Sequence, residues 1–172
     1  MYLNVRLVKE VAVSASPFLV STPFTLFDLN RFEETEEKAL WQPPGYVFGI
    51  VWSYLYISLF VFNILIFQDP LISQRIKSIV MRDTLIESTL QGIWLYLFRF
   101  KDNIQGRISS YNKSLVAMSA LVLMSFYRLF FIFKNVGLLK YMKYYLLYAI
   151  WINFANILNW QLVLGYIKKK SV

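Results

Sequence analysis

The 172-residue chain contains no cysteine and no histidine. Lack of cysteine excludes disulfides, zinc thiolate sites and thiol nucleophiles. Lack of histidine removes the commonest metal ligand, the usual general base and the usual haem axial ligand, so most hydrolytic mechanisms lose their central residue. No metal site is expected and no cofactor is required; chemistry falls to aromatics, carboxylates or the reactivity of a bound ligand. Acidic residues are scarce as well, ten against eighteen Lys and Arg, and their one cluster is Glu33, Glu34, Glu36 and Glu37. The net charge of +8 does not point to nucleic acid, because the cations sit in short loops and at the ends, beside apolar runs, with no separate basic domain. Anionic membrane lipids are their expected counterpart.

What is abundant is apolar surface. Hydrophobic residues make up 58% and aromatics 19% of the chain, against about 45–50% apolar in soluble domains. Runs of around 20 apolar residues leave no polar face for water, so lipid must cover them. The expectation is an integral, all-α membrane protein: one domain over residues 1–172, a five-transmembrane-helix bundle with spans near 11–27, 45–67, 79–98, 115–133 and 144–167. The first is read as a retained span despite its signal-like outline, with Pro17 and Pro23 interrupting it. Basic loops separate the rest, at Arg75 and Lys77, at Arg99 to Lys113 and at Lys134 to Lys143. Five spans put Arg6, Lys9, Arg75, Lys77, Arg82, Lys134, Lys140 and Lys143 on one side. Arg31, Lys38, Arg99, Lys101, Arg107, Lys113 and Lys168 to Lys170 lie on the other. Eight against nine gives no orientation.

The segment Trp41-Gln42-Pro43-Pro44-Gly45-Tyr46-Val47-Phe48-Gly49-Ile50-Val51-Trp52-Ser53-Tyr54-Leu55-Tyr56 has a direct physical reading. Two prolines end the preceding loop and preset the first helical turn, where the missing N–H costs nothing. Gly45 and Gly49 share a face that lets a helix or ligand come close, and Phe48, Trp52 and Tyr56 form an aromatic ladder one face over.

This segment resembles the opening of the second span in the translocator protein or tryptophan-rich sensory protein (TspO/MBR) family, Trp-x-Pro-Pro-Gly-aromatic-x-Phe-Gly-x-x-Trp-x-x-x-Tyr. Tyr148, Trp151, Phe154, Leu158, Asn159 and Trp160 are similar to the family's last-span pattern, and Leu90-Gln91-Gly92-Ile93-Trp94 to its third. Gln91, Ser119 and Leu147 stand where the family has asparagine, aspartate and proline. The resemblance implies a homodimer and a hydrophobic ring ligand, porphyrin-type or sterol. It also implies that Trp52 and Trp160 match the tryptophans tied to porphyrin binding and to its light-dependent breakdown. An indole face suits a flat macrocycle, and without histidine a metal-free ring fits better than haem. Leu164 to Lys168 satisfies a loose sterol motif, which a plain aromatic and lysine anchor also explains.

The helical wheel adds residues of its own. On the fifth helix Asn153, Asn156 and Trp160 share one face, while Tyr148, Trp151, Ala155 and Asn159 share the opposite one. On the third, Thr84, Glu87, Ser88, Gln91, Trp94 and Phe98 form one inward stripe. Glu87 is costly inside a membrane and needs a partner. Arg128 on the antiparallel fourth helix lies about 5 Å from it in depth, which predicts a structural ion pair.

The resulting expectation is a membrane receptor or transporter-like protein for ring ligands. Trp41, Pro43 and Pro44 would shape the mouth, and Trp52, Trp94, Asn153, Asn156 and Trp160 the wall. Two alternatives stand beside it: a light- and oxygen-dependent porphyrin-degrading enzyme using Trp52 and Trp160, and a membrane scaffold whose pocket has degenerated.

Overall fold

A computed structural model describes residues 5–26, 41–99, 104–136 and 138–170. Every regular element among them is a helix: α1 Val5–Leu26, α2 Gly45–Gln68, α3 Gln74–Arg99, α4 Ile104–Asn135 and α5 Leu138–Lys170. Among the described residues three stretches are long and apolar enough to cross a membrane, Gly45–Gln68, Ser109–Asn135 and Lys140–Gly165. Neither α1 nor α3 reaches that apolarity, because Arg6, Lys9 and Glu10 open the first, with serines and prolines diluting the rest, and charges interrupt the second.

The boundaries differ from the sequence reading where charges are expected to end a span. α4 begins at Ile104, so Arg107 and Lys113 lie on the helix and not in a loop. α4 ends at Asn135 and α5 starts at Leu138, so Lys140 and Lys143 belong to the first turns of α5. Arg and Lys are good helix formers, and a helix need not end where its apolar stretch does. Pro17 does not break α1 either. The carbonyl it deprives of a helical donor is that of Val13, and the Ser16 hydroxyl donates to this oxygen at 2.7 Å.

The caps follow from local sequence. Pro44 stands at the N-cap of α2 with extended backbone, φ −55° and ψ 149°, as the proline pair implies. Past the other end of α2, the Asp69 carboxylate accepts from the Leu71 N–H at 2.8 Å, a local turn that Pro70 continues.

Each helix packs on two neighbours, in the order α1, α2, α5, α4, α3 and back to α1, with only a brief contact between α2 and α3. The five therefore form a ring. Its register is antiparallel between chain neighbours: Ser114 meets Asn159 across α4 and α5 at 3.3 Å, and Thr84 meets Asn63 across α3 and α2 at 3.0 Å. α1 runs parallel to α3, with Ser16 2.8 Å from Ser88 and Val20 pressed against Gly92. One end of the ring thus carries the N-terminus of α1, the α2–α3 turn and the α4–α5 turn. The other carries Trp41.

Small residues do their work at Gly92, not at Gly49. A Cβ on Gly92 would strike the Val20 side chain, whereas nothing lies within 4 Å of one on Gly49. Within this chain a close helix approach is therefore found at Gly92, between α1 and α3, and not at Gly49.

Candidate functional site

The interior of the ring is layered. Nearest the Trp41 end lies an aromatic cage. Trp52 is 8% exposed, and its ring centroid is 5.9 Å from Trp94, 6.4 Å from Trp151, 5.6 Å from Tyr56 and 6.5 Å from Tyr148. The ladder spacing on α2 stacks Phe48, Trp52 and Tyr56 on one side, and α3 and α5 supply the opposing rings. From the cage an aromatic path runs outward. Phe48 meets Trp151 at 5.6 Å, Trp151 stacks on Phe154 at 4.9 Å, and Phe154 meets the half-exposed Trp41 at 5.5 Å.

Two indole N–H groups in this cage, on Trp94 and Trp151, are buried with no acceptor, and so is the Asn156 side-chain carbonyl, which has no donor. A buried polar group without a partner costs about 1–3 kcal/mol. A ligand acceptor or an ordered water would recover that cost at the indoles.

One turn deeper is a hydrogen-bonded floor. Gln91 Nε2 donates to the Tyr56 hydroxyl, which donates to Ser21 Oγ at 2.7 Å. Tyr148 reaches Gln91 Oε1 only at 3.5 Å, so this carbonyl is weakly held.

Deeper still is a charged layer. Arg128 Nη1 donates to Glu87 Oε2, and the Tyr145 hydroxyl donates to Glu87 Oε1. Arg128 Nη2 donates to Asn63 Oδ1 at 2.9 Å and to Thr84 Oγ1 at 2.7 Å. The rings of Phe62 and Tyr145 lie 5.1 and 5.0 Å from the guanidinium carbon, a distance at which a desolvated cation is attracted to both faces. Side-chain exposure is 1% for Arg128 and 3% for Glu87. These dipoles and rings offset some of the pair's desolvation, while Arg128 Nε and Asn63 Nδ2 stay buried without a partner among the described residues and the buried Asp83 carboxyl acts on both charges from nearby.

The residues read from the sequence as a site fall into three groups. Trp52 and Trp94 share the cage, and Glu87 and Arg128 share the charged layer. Trp41, Pro43 and Pro44 stand together before α2, Trp41 and Pro44 exposed and Pro43 part-buried. Asn153 and Asn156 are part-buried, on the opposite side of α5 from Tyr148 and Ala155, and Trp160 is exposed. Asn153 Nδ2 spends its hydrogen bond on the Ala149 carbonyl of its own helix at 2.8 Å, and Trp160 is 48% exposed. Trp160 also lies about 13 Å beyond Trp151 along α5, by the rise of nine helical residues. The buried face of α5 is the opposite one, with Tyr148, Ile152, Ala155 and Asn159. The α3 stripe does face inward, from Thr84 to Trp94. The Tyr166 and Lys168 side chains of the sterol-like motif lie outside the described residues, as does the acidic cluster at 33–37.

Sequence reasoning misses Asn63, Tyr145 and the role of Trp151. The signal for Asn63 is present, as a lone amide in an otherwise apolar run, which in a membrane helix implies a partner. Tyr145 carries no such mark, since twelve tyrosines are spread along the chain. For Trp151, helical periodicity separates the two faces of α5, and the expectation places the wall on the face of Asn153, Asn156 and Trp160, whereas the more buried face carries Tyr148, Ile152 and Ala155.

No curated protein and no solved structure matches the chain. The model of the TspO/MBR family matches residues 11–164, almost the full length that builds the cage, its floor and the charged layer beneath, and the chain belongs to that family.

Proposed function

We propose that this is a five-span membrane receptor or transporter-like protein whose cage around Trp52 takes a flat, hydrophobic ring ligand, porphyrin-type or sterol. Family membership and three apolar helices support a membrane ligand-binding or transport-type protein. The observation that carries the finer reading is the pair of buried indole N–H groups on Trp94 and Trp151 beside the Trp52 ring. Planar rings supply stacking area, and unpaired donors call for a carbonyl or carboxylate oxygen. A porphyrin carries such groups at its rim. A sterol offers a single hydroxyl, for which the weakly held Gln91 carbonyl is the available acceptor. The outer faces, with Ile50, Ile57, Leu123 and Phe130 exposed, suit lipid and leave room for a homodimer.

The test is a titration of purified protein with protoporphyrin IX, read by quenching of tryptophan fluorescence. Saturable quenching at micromolar ligand supports the proposal; none up to the solubility limit leaves the scaffold reading in its place.

The close set of Trp52, Trp94 and Trp151 also favours a second reading, light-dependent porphyrin breakdown, in which the ligand itself absorbs the light and no histidine base is needed. Illumination of the complex in air should then bleach the Soret band, and Trp52→Phe should slow the bleaching. A band that survives illumination excludes it.

A further inference from the structure

We propose that the buried brace formed by Glu87, Arg128, Tyr145 and Asn63 closes the ring beneath the cage, so that the cage is reached from the Trp41 end only and the protein holds its ligand without passing it through the bundle. The barrier itself follows from the packing. The statement about the ligand rests on the reading given above.

The brace joins four of the five helices at one depth. Glu87 on α3 holds Arg128 on α4 and Tyr145 on α5, and Arg128 holds Asn63 on α2. Arg128 is boxed in, with Thr84 as a further acceptor and aromatic rings on its faces. A ligand travelling along the ring axis would have to separate opposite charges that have almost no contact with solvent, and to leave each without a partner. Among the described residues that cost has no counterpart along the path from Trp41 through Phe154 and Trp151, which is lined by rings that can move at the expense of contact area alone.

Packing below the brace closes the rest. Phe62, Ile66, Val80 and Ile132 are 0% exposed, and Phe67 and Tyr141 are 1% and 2%. The α2–α3 turn is tied over this end, because the Asp69 carboxylate accepts from both Tyr141 and Lys140 on α5. At the Trp41 end the sides of the ring are packed as well, with Tyr111, Ser114 and Val163 buried, and Trp41 itself is 43% exposed. The asymmetry therefore lies in what must be displaced: an ionic brace with packed side chains below it, as against aromatic rings on the side of Trp41.

The lack of cysteine allows single introduced cysteines to report access without background. Phe48→Cys lies on the Trp41 side of the brace and Met81→Cys on the other. Each is placed in proteoliposomes of known insertion direction and exposed to a membrane-impermeant, charged methanethiosulfonate from either face. Each cysteine should react from its own face, and about a hundredfold more slowly from the far one, the effect of two tenfold barrier steps. Reaction of Phe48→Cys from both faces at similar rates overturns the proposal. In a Glu87→Gln/Arg128→Gln background that keeps its helical circular dichroism, far-face labelling should rise about tenfold; an unchanged rate removes the brace as the barrier. If that background does not fold, the labelling rates in the intact brace decide alone. No ligand enters the assay, so one-sided labelling in a protein that fails to bind protoporphyrin IX would sink the ligand reading and keep the barrier.

Discussion

Arg128 and Glu87 meet at the centre of the ring from adjacent helices, both with side chains almost wholly withdrawn from solvent. Around the pair, the hydrogen-bonding and ring contacts come from an amide, two hydroxyls and two aromatic rings. The two charges are interdependent, and that has a measurable consequence. Glu87→Gln or Arg128→Gln alone should destabilise the protein in detergent by about 3–5 kcal/mol, because each strands a buried charge. The apolar double variant Glu87→Leu/Arg128→Met should lose far less. Denaturant unfolding of the three variants checks this, and equal losses in all three would contradict it.

Gly92 and Gly49 should respond oppositely to alanine. A Cβ at Gly92 meets the Val20 side chain, so Gly92→Ala should cost about 1–3 kcal/mol by overpacking and be partly rescued by Val20→Ala. A Cβ at Gly49 meets nothing, so Gly49→Ala should gain about 0.5–1 kcal/mol from reduced backbone freedom. A loss of dimer on Gly49→Ala, with the monomer unharmed, would place Gly49 at a subunit contact.

Acid should loosen the closed end first. The Tyr141 hydroxyl, the Leu71 N–H and Lys140 hold the Asp69 carboxyl down from 3.8 to about 2. A carboxyl lowered on folding contributes its full stabilisation above its unfolded value and loses it as pH falls through the folded one. The thermal midpoint should therefore fall between about pH 4 and pH 2. Asp69→Asn should remove that contribution to the slope while lowering the midpoint at pH 7.

Tryptophan variants separate the cage from its surroundings. Trp151→Phe removes a donor and stacking area beside Trp52, and porphyrin affinity should drop about fivefold to tenfold, the worth of one hydrogen bond. Trp160→Phe lies outside the cage and should leave affinity unchanged. Fluorescence titration of both variants reads the difference directly, and the reverse order would restore the wall to the opposite face of α5.

Much of this protein is legible without a structure. Apolar runs mark the helices, the proline pair before Gly45 marks the start of α2, and the stripe from Thr84 to Trp94 marks the inward face of α3. These depend on local periodicity and backbone chemistry, which a sequence carries in full. The depth match of Glu87 and Arg128 is legible too, since a buried charge must find a partner and antiparallel helices set its depth. The face of α5 that turns inward is not. Both of its faces are polar and aromatic, so the pattern is symmetric and only packing against α2 and α4 buries Tyr148 and Asn159 and leaves Trp160 exposed. The same holds for the close approach at Gly92 and for Asn63 and Tyr145 in the brace. Such contacts join residues tens of positions apart, and the ring order that brings them together is a property of the assembled tertiary structure.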